Sequence, residues 1–473
     1  MPGEPVTRRS LSRGRGRNAD RSRSSRLPES VATLTIDRIA AGGDGVGRLD
    51  GLAVFVPRTA PGDVVQVAYV THARHARGRV LQVLTPSAAR VEPICVHYTQ
   101  DRCGGCQLQH LNADAQTEAR RHIVQDTVAR IGKRDIPLPA LVSDVAWGYR
   151  SRLTLTLLRR SAGWVGGLHP HDDPARVFAL ETCHIAHPAL VSVWQTLRPL
   201  IRKGSPALPV GETLRLGLRL DESPEGAEAT AALTVALVVE GGTHWPDQES
   251  WTVAARAADP RISGVWYTPT APTTAVRDTK NDAAPAEYAP QAREALAFAQ
   301  VNPVVATALR DYVFDAVGTF APTRVVDAYA GSGALAARLA TAGISVLAIE
   351  ADPAGAASAV EKVQVAASGP SASSRVLCDL VERALPSLGS GERPDTVVLN
   401  PPRRGVHADV TTWLEADAQH GLRGVVYISC DPATLARDLS RLPSWQVAAV
   451  QCFDMFPQTA HVETVCVLQR GPR

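Results

Sequence analysis

A chain of 473 residues, 45% of them hydrophobic, has the material for two to four domains with packed cores and the composition of an ordinary globular protein. No apolar run approaches the roughly 20 residues that span a bilayer, and no charged-then-apolar leader is present, so a membrane role is not expected and a cytoplasmic location, with reduced cysteines, is. The net charge is only +3, yet residues 1–28 hold eight arginines against Glu4 and Asp20, a local +6 that leaves −3 for the remainder.

That first segment has almost no apolar residues and is expected to be a disordered, Arg-rich tail, either a polyanion-binding arm or else a solvated extension or an upstream start-site artefact. Residues 29–88 carry short alternating runs such as "A-T-L-T-I-D-R-I" and "D-V-V-Q-V-A-Y-V", separated by glycine turns. Their spacing suits a five-stranded barrel of the OB type, a common nucleic-acid platform. The loop "T-H-A-R-H-A-R-G-R" adds five basic or potentially basic side chains at one rim.

Residues 89–290 open with "P-I-C-V-H-Y-T-Q-D-R-C-G-G-C-Q-L-Q-H". Cys95, Cys103 and Cys106 cluster there, and Cys183 is a candidate fourth ligand. Four thiolates suit zinc or an iron–sulfur cluster, and spacing alone does not choose between them. A helix is expected over "A-D-A-Q-T-E-A-R-R-H-I-V-Q-D-T-V-A-R-I", then strands at "R-L-T-L-T-L-L-R-R" and "A-A-L-T-V-A-L-V-V", then an exposed loop or long hairpin arm from Thr268 to Ala286.

Residues 291–473 alternate β and α, with parallel strands ending at Tyr329, Glu350, Asp379, Asn400 and Cys430 and a final antiparallel hairpin. The fold class is therefore α/β, an open doubly wound sheet, whose ligands bind outside the carboxyl ends of the strands. The first strand leads into "D-A-Y-A-G-S-G-A-L", a glycine turn at a helix start. Glu350, 23 residues beyond Asp327, is placed to accept ribose hydroxyls, and Asp379 to meet an adenine amine. The turn lacks both the triphosphate and the dinucleotide glycine patterns, and S-adenosylmethionine fits it better.

"N-P-P-R-R-G" after the fourth strand is a rigid turn suited to facing a planar base, and Arg403 or Arg404 is a candidate to steady an oxyanion or a phosphate. Cys430 then stands where "G-V-V-Y-I-S" breaks into "P-A-T-L-A-R-D-L", either as a buried filler or as a nucleophile. The last strand runs the other way, so "H-V-E-T-V" brings His461 and Glu463 to the same rim. Cys378, Cys452 and Cys466 lie within apolar strands and are expected in the core.

On "S-C-D-P-A-T-L-A-R-D", "N-P-P-R-R-G", "H-V-E-T", "F-A-Q-V-N-P" and "C-G-G-C-Q-L-Q-H", the chain resembles the bacterial RNA 5-methyluridine methyltransferases over about residues 30–470. The resemblance implies a Rossmann-like S-adenosylmethionine methyltransferase domain, an N-terminal TRAM barrel and a central α+β domain with a 4Fe-4S cluster. It makes Cys430 the nucleophile and Glu463 the base that removes the carbon 5 proton. It assigns cofactor binding to Gln300, Tyr329, Glu350, Asp379 and Asn400, and cluster ligation to Cys95, Cys103, Cys106 and Cys183. The implied partner is RNA, with 23S ribosomal RNA favoured over transfer RNA because the barrel marks the ribosomal branch. Three positions depart from the pattern: Asn400 stands where many members have aspartate, Cys95 and Cys103 are separated by seven residues rather than five, and Ala334 replaces a frequent polar residue.

Two other functions compete. An amino-group methyltransferase also uses N-P-P, but follows it with an aromatic residue where Arg403 stands and needs no cysteine. A non-catalytic RNA-binding protein would require neither Cys430 nor Glu463.

Overall fold

The computed structural model describes residues 29–221, 233–270, 300–366, 373–417 and 421–470. The Arg-rich tail and most of the expected loop at 268–286 lie outside them. Five strands form a closed barrel in the order β1-β2-β3-β5-β4: β1 Ser30–Ile39, β2 Gly45–Leu49, β3 Leu52–Val56, β4 Val64–Thr71 and β5 Ala76–Thr85. Alternation along β1 and β4 points Leu34, Ile36, Val65 and Val67 inward, onto Val54 and Val56. A parallel pairing of β3 with β5 closes the ring and removes the free edge.

The middle of the chain builds a six-stranded sheet, β12-β11-β10-β7-β8-β9, from β7 Arg152–Arg160, β8 Gly163–Leu168, β9 Phe178–Ala179, β10 Thr213–Leu220, β11 Val235–Glu240 and β12 Ile262–Thr268. Helices Pro188–Lys203 and Gln248–Ala258 bury Trp194 and Trp251 against it.

The third sheet has eight strands in the order β15-β14-β13-β16-β17-β19-β18-β6. Its parallel part comprises β13 Arg324–Ala328, β14 Ser345–Glu350, β15 Arg375–Cys378, β16 Thr396–Leu399 and β17 Gly424–Ser429. β16 and β17 are buried at every position, as strands covered on both faces must be, which explains their unbroken apolar runs. β18 Trp445–Phe453 and β19 Glu463–Arg470 form the antiparallel hairpin, with β19 inserted beside β17. The order reverses between β13 and β16, which puts the crevice at the expected end of the sheet.

Two features depart from expectation. Residues Ala140–Val142 form a short strand, β6, that pairs in parallel with β18, so the middle of the chain completes the C-terminal sheet. Three residues carry too little periodicity for such a strand to stand out. Cys378 is exposed rather than core, because β15 is the edge strand and Cys378 is its last residue; Cys452 and Cys466 are fully buried. Helix Ala113–Arg130, capped by the Asn112 side chain on the Ala115 amide, packs against helix Pro432–Ser440 and adds Val124 and Val128 to the C-terminal core.

Candidate active site

The carboxyl ends of the parallel strands line up. Ala328 pairs with both Ile349 and Leu399, Glu350 with Cys378, and Leu399 with Tyr427. The residues that follow, Tyr329, Asp379 and Asn400, therefore share one edge with Glu350. Tyr329 holds a left-handed backbone (φ 62°), which turns the chain into the glycine loop. Gly331, also left-handed, has open space where a Cβ would stand. At Gly333 a Cβ would meet Ala359 at 2.7 Å, so only glycine lets the helix Ala334–Thr341 begin this close to helix Pro353–Ala366.

Glu350 accepts hydrogen bonds from the Gly331 amide (Oε2, 2.7 Å) and the Asp352 amide (Oε1, 2.7 Å), tying the glycine loop to the second strand end. A carboxylate has about four acceptor sites, so two stay available to hydroxyl groups. Asp379 is exposed and accepts from its neighbour's amide, Leu380 N (2.7 Å); Asn400 is exposed beside Ala328. The open cradle at Gly331 and the acids on the next two strand ends fit a nucleoside cofactor such as S-adenosylmethionine. Gln300 is half-buried on the segment leading to helix Pro303–Gly318, and its neighbour Val301 lines the cysteine cavity.

Asp327 stands 23 residues before Glu350, near the end of the first parallel strand. It is 3% exposed, and burial pushes its carboxyl up to about 7, with the Glu350 charge adding and the Ala336 amide opposing. Its Oδ2 has no hydrogen-bond partner among the described residues. The signal for it was an acid inside the otherwise apolar "R-V-V-D-A".

Cys430 follows β17 directly. Ser429 pairs with Thr464 across the sheet, so the next position sets Cys430 beside Glu463, the first residue of β19. Asp431 caps the helix Pro432–Ser440, accepting from the Ala433 (2.8 Å) and Thr434 (3.3 Å) amides, and so fixes the turn that carries Cys430. Burial raises the Cys430 thiol above its usual range, Glu463 raises it further and Arg403 opposes both. Glu463 is 4% exposed; burial pushes its carboxyl up to about 7, again against Arg403. Cys430, Glu463 and Arg403 thus form one electrostatic group, with His461 exposed at its rim.

The turn that carries Arg403 is held by a residue not singled out from the sequence. Asp438 is fully buried and accepts from the Tyr427 hydroxyl (2.8 Å), the Val406 amide (3.0 Å) and Arg437 (2.8 Å). Gly405 (φ 76°) lies against it: a Cβ there would stand 2.4 Å from an Asp438 carboxylate oxygen.

Cys95, Cys103, Cys106 and Cys183 line one cavity of about 220 Å³, together with His97 and Arg150. All four are free, and burial pushes Cys103 up to about 11 and Cys106 to about 12. Among the described residues no three His, Cys, Asp or Glu side chains sit close enough to hold a single metal ion.

A family model described as tRNA (uracil-5-)-methyltransferase matches residues 390–471, the stretch holding the N-P-P turn, Cys430 and Glu463. The 23S rRNA (uracil(1939)-C(5))-methyltransferase RlmD of Thiobacillus denitrificans is 32% identical over 445 residues, covering 90% of this chain and 97% of its own. The chain belongs to the RNA uracil-5-methyltransferase family. The RlmD of Halomonas elongata, 32% identical over 477 residues, covers 93% of this chain and 90% of its own. Residues 26–80 match the TRAM domain, so the N-terminal barrel of this uracil-5-methyltransferase family member is a TRAM barrel. Its fold is shared with the Pyrococcus abyssi tRNA (uracil-54, C5)-methyltransferase solved with S-adenosyl-L-homocysteine, at a TM-score of 0.62 and 21% identity, over 92% of this chain and all of that one. Among the described residues no helix is long and apolar enough to cross a membrane.

Proposed function

We propose that this protein transfers a methyl group from S-adenosylmethionine to carbon 5 of a uridine in RNA, through a covalent bond between Cys430 and carbon 6. The observation that carries the reading is that Cys430 and Glu463, each one residue beyond the Ser429–Thr464 pair, lie side by side at the edge that also bears the glycine loop and Glu350.

Carbon 5 of uracil is too weak a nucleophile to take a methyl group unaided. The Cys430 thiolate adds to carbon 6, and the electron pair of the 5,6 double bond moves into an enolate. S-adenosylmethionine would supply the methyl group, which carbon 5 takes with the enolate's electron pair as the methyl–sulfur bond breaks and S-adenosylhomocysteine leaves. The Glu463 carboxylate removes the remaining carbon 5 proton, the double bond re-forms and the carbon–sulfur bond breaks, returning the thiolate. Arg403, cationic beside both groups, favours the thiolate and the carboxylate over their neutral forms, and it or Arg404 would steady the developing enolate or a phosphate. Glu350 would hold the cofactor's ribose hydroxyls, Asp379 its adenine amine, and Gln300, Tyr329 and Asn400 complete the binding set. The target base must leave its stack to reach this pocket.

The barrel and the names of the relatives favour 23S ribosomal RNA as substrate; transfer RNA is the second reading, from the description of the matched family model. We assign the tail to 1–28, the TRAM domain to 29–88, the central domain to 89–290 and the methyltransferase domain to 291–473, in a cytoplasmic protein. Cys95, Cys103, Cys106 and Cys183 would hold a 4Fe-4S cluster, a four-thiolate donor set around one cavity. Anaerobically purified protein should then be brown; a colourless protein with stoichiometric zinc overturns that assignment.

The function is tested with Cys430→Ala. The variant should bind S-adenosylmethionine as the parent does and form no 5-methyluridine in unmodified 23S transcript, and full residual methyl transfer would falsify the covalent route.

A further inference from the structure

Glu463 stands at the mouth of the ladder. Its β18 neighbour is Phe453, but on the β17 side the pairing stops one residue short, at Ser429 and Thr464. Where its carboxylate lies therefore depends on what holds the hairpin turn 454–462. That turn is not free. The two amides directly after the C-G-G-C pair, Gln107 N (3.1 Å) and Leu108 N (3.0 Å), both donate to the Gln458 carbonyl. The Gln458 side chain accepts from Gln116 Nε2 (3.0 Å), and the Gln458 backbone is left-handed (φ 70°), a conformation glutamine takes only under constraint. Arg120, 2% exposed, donates from Nε to the Thr459 carbonyl (3.0 Å) and pairs through Nη1 with Asp454 (3.3 Å). The Tyr149 hydroxyl donates to the Pro457 carbonyl (3.0 Å).

Gln107, Leu108, Gln116 and Arg120 come from the segment that carries the cysteines and its following helix, and Tyr149 from the chain just beyond, all more than 300 residues away in sequence. Most of the clamped turn is buried: Asp454, Gln458, Thr459 and Ala460 are each 4–6% exposed. Strand pairing alone would need none of this to hold β18 to β19.

We propose that Arg120 and Gln458 are positioning residues for the base: the cysteine-bearing segment clamps the hairpin turn so that Glu463 meets the carbon 5 proton. The inference rests on the function proposed above and extends it, since it makes proton removal, rather than methyl transfer, depend on the central domain. A loosened clamp leaves Cys430, its helix and the cofactor edge in place. Thiolate addition and methylation proceed, the carbon 5 proton stays, and the enzyme remains bonded to methylated RNA.

The test uses full-length, metal-replete protein and unmodified 23S transcript with methyl-labelled S-adenosylmethionine. It compares Gln458→Ala and Arg120→Gln with the parent and with Glu463→Gln as reference. Both clamp variants should lower kcat by about tenfold or more, since misplacement by about 1 Å can cost a hundredfold. KM for RNA and affinity for S-adenosylmethionine should stay at parental values, and labelled RNA should accumulate as a denaturant-stable adduct on Cys430, as with Glu463→Gln. Parental turnover in both variants, or lost turnover without adduct, overturns the proposal while leaving the function intact. If Arg120→Gln does not fold, Gln458→Ala, which removes one side-chain hydrogen bond and no charge, decides the matter. Absence of adduct even in Glu463→Gln counts against the function itself and the clamp with it.

Discussion

Glu463 is the residue whose environment matters most. Its folded value lies near 7 against an ordinary 4.5 because it is buried, with Arg403 only partly offsetting the loss of hydration. A raised folded value means that its contribution to stability is present below about pH 4.5 and is lost as pH rises through 7. At about 1.4 kcal/mol per pKa unit, the penalty above pH 7 is at most about 3 kcal/mol. Glu463→Gln removes the titration, so its Tm relative to the parent should rise between pH 5 and pH 8; a pH-independent difference would contradict the buried carboxylate. Kinetically the sign is opposite, since only the ionised form accepts a proton: kcat in the parent should climb with pH through about 7, and a profile flat across that range would contradict a carboxylate base there. Cys430 and Glu463 were legible in the sequence because strand ends sort to one edge. Asp438 and Arg120 were not: an acid or arginine on a helix reads as a solvated charge until its distant partners are known.

Elements, by contrast, were largely readable. The five parallel strands end within one residue of the expected positions, because their apolar runs and turn residues leave little choice. β6 was missed for the converse reason, as its pairing comes from β18 rather than from its own three residues. At this scale the helix after Cys430 makes a direct prediction. Asp431 satisfies two of its first amides, and Asp431→Ala should cost about 1 kcal/mol in denaturant unfolding, with lower kcat because the turn bearing Cys430 is loosened. Unchanged kcat would show that Cys430 is positioned by β17 alone.

Across the whole molecule, three sheets meet around the cysteine-bearing loop. Arg58, in the barrel's β3–β4 connection, donates to the carbonyls of Tyr98 and Cys103 (3.1 Å to the latter) and lies 4.0 Å over the Tyr98 ring. Asp63 receives Arg90 from the other side (2.7 Å). The barrel is thus pinned to the segment that clamps the hairpin. Arg58→Met should weaken binding of RNA while leaving S-adenosylmethionine affinity unchanged, as titrations with each would report; equal loss of both would place its effect on folding instead. The N-terminal barrel was legible from its short alternating strands, but this docking was not, since it depends on single side chains reaching across sheets.

The central claim is a covalent bond between Cys430 and uracil. Incubating the parent protein and S-adenosylmethionine with transcript containing 5-fluorouridine, then digesting and sequencing the peptides by mass spectrometry, tests it most directly. With fluorine at carbon 5 there is no proton for Glu463 to remove, so the methylated base should remain joined through carbon 6 to Cys430. Free methylated RNA, or an adduct at another residue, would contradict the account.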